Sequence, residues 1–149
     1  MFTKAITSPN APKAIGPYSP CLRVGDFVYV SGQIPADPIT GDIVSDDIRE
    51  QTIRSLSNLK ALLMEQGLEM RHILKTTVYM TDLAEFGAMN EEYAKFFEAP
   101  YPARSCVQVV ALPKGAKVEI EALVVDTLAY EAQANCKGSC DSCSGCASE

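Results

Sequence analysis

Only two stretches of this chain carry apolar residues at helical spacing, and strand-like segments separate and flank them. The helical stripes are Ile48, Thr52, Leu56, Leu59 and Leu63, and then Phe86, Met89, Tyr93, Phe96 and Phe97. Strands are predicted over residues 2–6, 22–24, 27–31, 73–80, 104–112 and 117–125. This order predicts a two-layer α+β domain, a mixed sheet covered on one face by two helices.

Capping and breaking residues indicate where the helices begin and end. Asp47 followed by Glu50 resembles a capping box at the start of the first helix. Gly67 is a typical C-terminal stop for the first helix, and Pro100 ends the second.

The last two predicted strands are joined by residues 113–116, which predicts a hairpin with a four-residue loop. In the register that this loop implies, Arg104 faces Val125, and Arg104 and Glu119 share one face of the sheet. They then lie about 20 Å apart along the strands. We therefore expect them to serve one site only if that site joins neighbouring subunits.

The sheet face that the helices leave open is also expected to be apolar, as in residues 122–125. Two helices cannot cover both faces of a sheet, and an uncovered apolar face usually marks an interface. A closed homo-oligomer would bury this face.

Length and charge limit the class of protein. The 149 residues predict one domain over 1–131, followed by a Cys-, Gly- and Ser-rich tail over 132–149 that is expected to be flexible without a ligand. The net charge of -6 argues against a nucleic-acid partner. We see no secretory signal and no apolar run of about 20 residues, which predicts a cytoplasmic protein without a membrane partner.

Few residues stand out as candidates for chemistry. The chain lacks phosphate-loop, dinucleotide-binding, zinc-protease and serine-hydrolase motifs, and its one histidine, His72, is interpreted as a surface or strand-start residue without a role. Arg104 at a strand start can present its planar fork to a carboxylate, although from this residue alone a surface salt bridge is the commoner explanation. Glu119 is equally compatible with a solvated edge strand.

Polar residues beside the predicted helices and turns give further candidates. Asn90 lies beside the apolar stripe of the second helix and needs a partner, either a ligand or loop backbone. Gly32, after Ser31 at a strand end, allows close approach to the backbone, or it forms an ordinary turn. Tyr18 lies between prolines, as a pocket lid or as packing.

Taken together, these segments resemble the RidA (YjgF) family of enamine/imine deaminases. The resemblance covers about residues 3–126 and rests on the order and spacing of short motifs. They are AIGPYS at 14–19, SGQIP at 31–35, KTTVY at 75–79, PARSCV at 102–107, LPK at 112–114 and VEIEA at 118–122, with Asp82, Phe86, Asn90, Tyr93 and Phe96.

The resemblance implies a chorismate-mutase-like α+β fold, a homotrimer with intersubunit sites, and no metal or organic cofactor. It implies that Arg104 binds the substrate carboxylate and that Glu119 positions or activates water. Five further residues match pocket positions of the family: Tyr18, Ser31, Gly32, Asn90 and Cys106. The implied reaction is hydrolysis of 2-iminobutanoate, 2-iminopropanoate and their enamine tautomers to 2-oxo acids and ammonia.

The tail departs from the family pattern through four cysteines in a C-x3-C-x2-C-x2-C array: Cys136, Cys140, Cys143 and Cys146. Such spacing suits zinc or an iron–sulfur cluster, while a thiol-rich tail without metal is the alternative.

Other functions of the protein also stay open at this point. They are a non-catalytic ligand-binding or chaperone-like trimer, and an RNA-cleaving or translation-inhibiting protein.

Overall fold

The computed structural model describes residues 2–140 of the chain. Six strands form one mixed sheet in the order β1-β2-β3-β6-β4-β5. They are β1 Thr3–Ile6, β2 Cys21–Val24, β3 Phe27–Gln33, β4 Ile73–Met80, β5 Ala103–Gln108 and β6 Val118–Val125. The helices are α1 Ile48–Met64, α2 Phe86–Ala94 and α3 Leu128–Cys140, with short 3-10 turns at 70–72, 83–85 and 113–115. The predicted mixed α+β architecture is confirmed.

Helix α1 follows the predicted pattern. The Asp47 side chain accepts hydrogen bonds from the backbone N–H groups of Arg49 and Glu50, and so satisfies two donors of the first turn. All five residues of the predicted apolar stripe are buried. The chain leaves the helix through Gly67, whose φ of 68° lies in the left-handed region that glycine tolerates.

The hydrophobic core lies between the sheet and the helices α1 and α2. Alternate residues of β6 are buried toward the helices, and the residues between them lie on the other face. On that other face Phe27 is 49% exposed and Tyr29 is 50% exposed. We call it the open face. Within the part of the chain that the structure describes, no helix covers the open face, as expected from the sequence.

The predicted hairpin between the last two strands is wrong. Strand β5 pairs with β4 in parallel, and β6 lies between β3 and β4, antiparallel to both. The backbone N–H of Val109 donates to the Met80 carbonyl and that of Thr81 to the Lys117 carbonyl, so residues 109–117 pass around the end of β4. The physical reason is burial: β6 presents a fully buried apolar row and takes a central place, while the more polar β5 takes the edge.

This topology also corrects the predicted placement of Arg104 and Glu119. Arg104 is in register with Thr76, which is buried under the helices, whereas Glu119 is in register with Tyr79 on the open face. The two side chains therefore lie on opposite faces of the sheet, and not on one face as predicted.

A third helix, α3, extends the domain. The expected boundary at residue 131 falls inside α3, so the predicted tail is helical up to Cys140, as its alanine-rich start favours. The Arg71 guanidinium donates to both carboxylate oxygens of Glu131, at 2.7 and 3.0 Å, and holds the Glu131 pKa at about 2. The division into two segments stays a prediction.

Two further expectations concern burial and membranes. His72, interpreted as a surface or strand-start residue, ends the 3-10 turn directly before β4, in agreement with a strand start. It does not lie at the surface, because it is 3% exposed, and its Nδ1 accepts a hydrogen bond from the Glu69 backbone. Across residues 2–140, we find no helix with the length and apolar character that a membrane span requires.

Candidate active site

One group of predicted site residues collects around Glu119 on the open face. We call Tyr18, Ser31, Gly32 and Glu119 the Glu119 cluster. Its origin is a bulge in β3: Val30 pairs with Ala122, but Gln33 pairs with Ile120, so one extra residue is inserted in β3. The bulge brings the Gly32 backbone against the Glu119 side chain. A Cβ placed on Gly32 would lie 2.7 Å from Glu119 Cδ, which explains glycine at this position.

The surroundings of the Glu119 carboxyl make it a stronger base. Burial raises its pKa above the ordinary value, and the neighbouring Glu121 raises it further. Glu121 itself accepts a hydrogen bond of 3.2 Å from the Tyr79 hydroxyl. A carboxylate with a raised pKa binds a proton more readily, which is the property required of a general base near neutral pH.

A cavity of about 470 Å³ opens in front of Glu119. The loop that carries Tyr18 forms one wall, and the turn at 113–115 forms another. The Ser31 hydroxyl donates to the Ser19 carbonyl at 2.7 Å, which fixes this loop to β3 and leaves the hydroxyl oxygen as an acceptor. The cavity walls are Ile15, Tyr18, Ser31, Gly32, Ile34, Pro113, Lys114 and Glu119.

The other predicted residues collect around Arg104 at the sheet edge. We call Asn90, Arg104 and Cys106 the Arg104 cluster. The Arg104 guanidinium carbon lies 4.6 Å from the centre of the Tyr93 ring and 5.6 Å from that of Phe86. These cation–π contacts hold the guanidinium in place without using its hydrogen-bond donors. Tyr93 is held in turn by a 2.7 Å hydrogen bond between its hydroxyl and that of Thr76.

Arg104 has no carboxylate partner within 4 Å among residues 2–140. A guanidinium fixed on two rings and free of an ion pair is suited to bind an external carboxylate in a bidentate manner. This arrangement differs from the surface salt bridge that the residue alone would suggest.

The neighbours of Arg104 complete the cluster. Burial raises the pKa of the Cys106 thiol more than the nearby Arg104 lowers it, which favours the neutral thiol. Cys106 therefore suits a pocket wall better than a nucleophile. Asn90 is half-buried on α2, four residues after Phe86 and three before Tyr93, the two rings that contact Arg104. Among the described residues, its side chain has no hydrogen-bond partner.

The structure thus brings the predicted residues together in two clusters and not in one. Each cluster lacks what the other has, because the Glu119 cluster has no guanidinium to bind a carboxylate in a bidentate manner and the Arg104 cluster has no carboxylate base. Sequence reasoning missed Lys114 in the wall beside Glu119 and the stacking of Phe86 and Tyr93 on Arg104. The spacing of seven residues between Phe86 and Tyr93 in one helix was the available signal for the stacking.

The predicted cysteine site stays a prediction. Cys136 and Cys140 fall in α3, and Cys143 and Cys146 lie outside the described residues. Within the described part of the chain, no three potential metal ligands form a group that could hold an ion.

Comparisons with known proteins agree on one family. A family model described as Endoribonuclease L-PSP matches residues 8–126. A Salmonella typhimurium protein named 2-iminobutanoate/2-iminopropanoate deaminase is 48% identical over 127 residues, which cover 83% of this chain and 98% of the relative. The crystal structure of Escherichia coli TdcF with bound serine is 48% identical, with a TM-score of 0.78, and the match covers 82% of this chain and 98% of that one.

A third relative carries a different name. The RutC family protein y4sK of Sinorhizobium fredii is 50% identical over 119 residues, which cover 80% of this chain and 94% of the relative. The names of the matches therefore range from deaminase to endoribonuclease, while the matched segment is nearly the same.

Proposed function

The chain belongs to the RidA/YjgF family, whose family model is described as Endoribonuclease L-PSP, and from this premise we propose that it is an imine deaminase. Its proposed substrates are 2-iminobutanoate, 2-iminopropanoate and their enamine tautomers. The observation that carries the proposal is the Arg104 guanidinium on its two rings, without an ion pair among residues 2–140, since a short 2-imino acid offers a carboxylate as its one fixed charge.

The two clusters would form one site in a homotrimer. Because Arg104 and Glu119 lie on opposite sheet faces of one chain, a substrate cannot bridge them within one subunit. The open face also exposes apolar side chains, among them Phe27 and Tyr29, that an oligomer would bury. In a ring of three, the sheet edge that carries Arg104 in each subunit would contact the Glu119 cavity of the next subunit, and the third contact would close the ring. The chorismate-mutase-like classification belongs to the same proposal.

The first step would be substrate binding. Two N–H groups of Arg104 bind the two carboxylate oxygens, and the rings of Phe86 and Tyr93 keep the fork in one orientation. Asn90 is available to hydrogen-bond the substrate, and Cys106 forms the wall beside it. Fixing the carboxylate places the imine carbon in front of Glu119 of the neighbouring subunit, and such positioning accounts for several kcal/mol of a barrier.

The second step would be attack by water. The water oxygen bonds to carbon 2 of the protonated imine, the C=N π electrons move to nitrogen, and Glu119 takes a proton from the water. Protonated Glu119 then transfers that proton to the nitrogen of the carbinolamine. The C–N bond breaks, ammonia leaves, and the hydroxyl becomes the carbonyl of the 2-oxo acid as the Glu119 carboxylate takes its proton. That proton passes to ammonia, so protonated imine and water are converted to a 2-oxo acid and ammonium, and Glu119 is again a carboxylate.

A coupled assay tests this proposal. Threonine dehydratase generates 2-iminobutanoate, and the added protein should accelerate its conversion to 2-oxobutanoate while the dehydratase rate is held constant. Arg104→Ala should abolish this acceleration and leave the oligomeric state unchanged. Full acceleration by the variant would remove Arg104 as the carboxylate anchor.

The rival functions give different results in the same experiments. A non-catalytic trimer would bind 2-oxo acids without accelerating imine loss. An endoribonuclease, as the family description names it, would cleave RNA in a parallel assay. The net charge of -6 disfavours RNA binding, and the expected cytoplasmic location stays a prediction.

A further inference from the structure

A second depression of about 290 Å³ adjoins the Glu119 cavity. The two share the residues Ile15, Tyr18, Gly32, Ile34 and Lys114, so they adjoin, and we call the Glu119 cavity the first lobe and the second depression the second lobe. The remaining walls of the second depression are Pro12, Lys13, Gln33, Ala36, Pro38, Ile39, Thr40 and Gly41. Glu119 belongs to the first lobe alone.

Lys114 lies where the two lobes meet. Its backbone has φ 57° and ψ 20°, a left-handed conformation that costs free energy for any residue with a Cβ. Such conformations concentrate at functional sites. The Lys114 Nζ donates to the Gly41 carbonyl at 2.5 Å, which uses one of the three donors of an ammonium and leaves two for a ligand.

The second lobe is positively charged. Lys13 and Lys114 both line it, and no carboxylate side chain is among the described residues of its wall. A cationic, partly apolar lobe next to a base selects a ligand with an anionic end.

The geometry of the substrate indicates which of its groups would occupy the second lobe. Carbon 2 of a 2-imino acid has three substituents: a carboxylate, a nitrogen and a side chain. If the carboxylate is bound by Arg104 of a neighbouring copy and carbon 2 faces Glu119, the side chain extends into the space that remains. The second lobe adjoins that space.

We propose that the second lobe binds the substrate's side chain and favours one that ends in a carboxylate. The protein would then hydrolyse dicarboxylic 2-imino acids as well as short monocarboxylic ones, with Lys114 as the residue that determines this preference. This inference rests on the proposed deaminase function. The reaction is unchanged: imine and water give a 2-oxo dicarboxylic acid and ammonia. Oxidation of an acidic α-amino acid would supply such an imine.

The test compares two imines that flavin-dependent amino-acid oxidases generate in place. One comes from glutamate and the other from 2-aminobutanoate, and semicarbazide traps whatever imine the protein does not hydrolyse. The measured quantity is the ratio of kcat/KM for the dicarboxylic imine to that for the monocarboxylic imine. For the wild-type protein we expect a ratio of about one or above, since each hydrogen bond to a charged group is worth roughly tenfold or more.

Variants of charge and shape make the test specific. Lys114→Met keeps the length of the side chain and should lower the ratio about tenfold, whereas Lys114→Arg should stay within about threefold of the wild-type ratio. Lys13→Met, which does not touch the Gly41 contact, should lower the ratio in the same direction. Lys60→Met on the exposed side of α1 is the matched control and should not change it. An unchanged ratio in Lys114→Met, or a wild-type ratio below about 0.01, would overturn the proposal.

A binding measurement separates this proposal from the deaminase function. If the wild-type protein hydrolyses neither imine, the deaminase proposal fails, and calorimetry with 2-oxoglutarate and 2-oxobutanoate decides about the lobe. Tighter binding of the dicarboxylate that is lost in Lys114→Met supports the lobe. Equal binding of both acids overturns it.

Discussion

Substituting Gly32 by alanine tests whether the position of Glu119 matters for the reaction. The new methyl carbon would overlap Glu119 Oε1 and lie 2.7 Å from Cδ, whereas carbon atoms pack at about 3.5–4.0 Å, so the carboxyl group must move by at least about 1 Å. A displacement of that size in a catalytic group costs on the order of 100-fold in rate, which equals about 2.7 kcal/mol of transition-state stabilisation. Folding should change by less than about 1 kcal/mol, because the end of the glutamate side chain is free to yield.

The assay for Gly32→Ala combines kcat/KM for 2-iminobutanoate with thermal unfolding and the mass of the oligomer. Gly87→Ala is the matched control, since nothing lies within 4 Å of its added methyl group and Gly87 is exposed on α2. The control should keep full activity and gain up to about 1 kcal/mol of helix stability. If Gly32→Ala stays within about threefold of wild-type activity with an intact oligomer, the reasoning about Glu119 is refuted.

Four further predictions concern Arg104, Glu119 and the C-terminal tail. Arg104→Lys removes the bidentate fork, so kcat/KM should fall about 10- to 100-fold with an unchanged melting temperature, and steady-state kinetics would show this. Because burial raises the pKa of Glu119, activity should fall as the pH decreases through a pKa above the ordinary glutamate value, and a pH profile that follows an unshifted carboxyl would contradict this. The raised pKa also means that the charged Glu119 carboxylate is disfavoured in the folded protein, so it lowers the free energy of unfolding only at pH values where it is ionised. Glu119→Gln should therefore melt at a higher temperature than wild type at pH 8, and the two should converge near pH 4. Deleting residues 132–149 should leave imine hydrolysis unchanged. If the full-length protein binds zinc or iron and this variant does not, as measured by elemental analysis, the metal is bound by the cysteine array.

The local structure of this chain is well encoded in its sequence. The stripe of α1, the cap at Asp47 and the strand Ile73–Met80 depend on neighbours a few residues apart, so spacing and capping rules predict them. The alternation that places Arg104 and Cys106 on one face of β5 is local in the same sense, and the structure agrees.

What the sequence did not reveal depends on contacts between distant segments. The turn at 113–115 looks like a hairpin loop, but pairing of β5 with β4 or β6 is decided by which strand fills the centre of the sheet. The register error that followed put Arg104 and Glu119 on one face, and the spacing argument for a site between subunits rested on it, whereas the family resemblance implied such a site independently. Lys114 was part of the LPK motif but received no role in the site, because its position beside Gly41 depends on a left-handed backbone and on a loop far away in sequence.

The most direct test of the account is complementation between two inactive subunits. Arg104→Ala and Glu119→Gln proteins are mixed, unfolded and refolded together, with each protein refolded alone as control. In a trimer with intersubunit sites, a mixed assembly contains an intact site wherever wild-type Arg104 of one subunit meets wild-type Glu119 of the next. We expect activity well above that of either variant alone. Mixed assemblies, verified by mass, that remain as inactive as the separate variants would contradict the account.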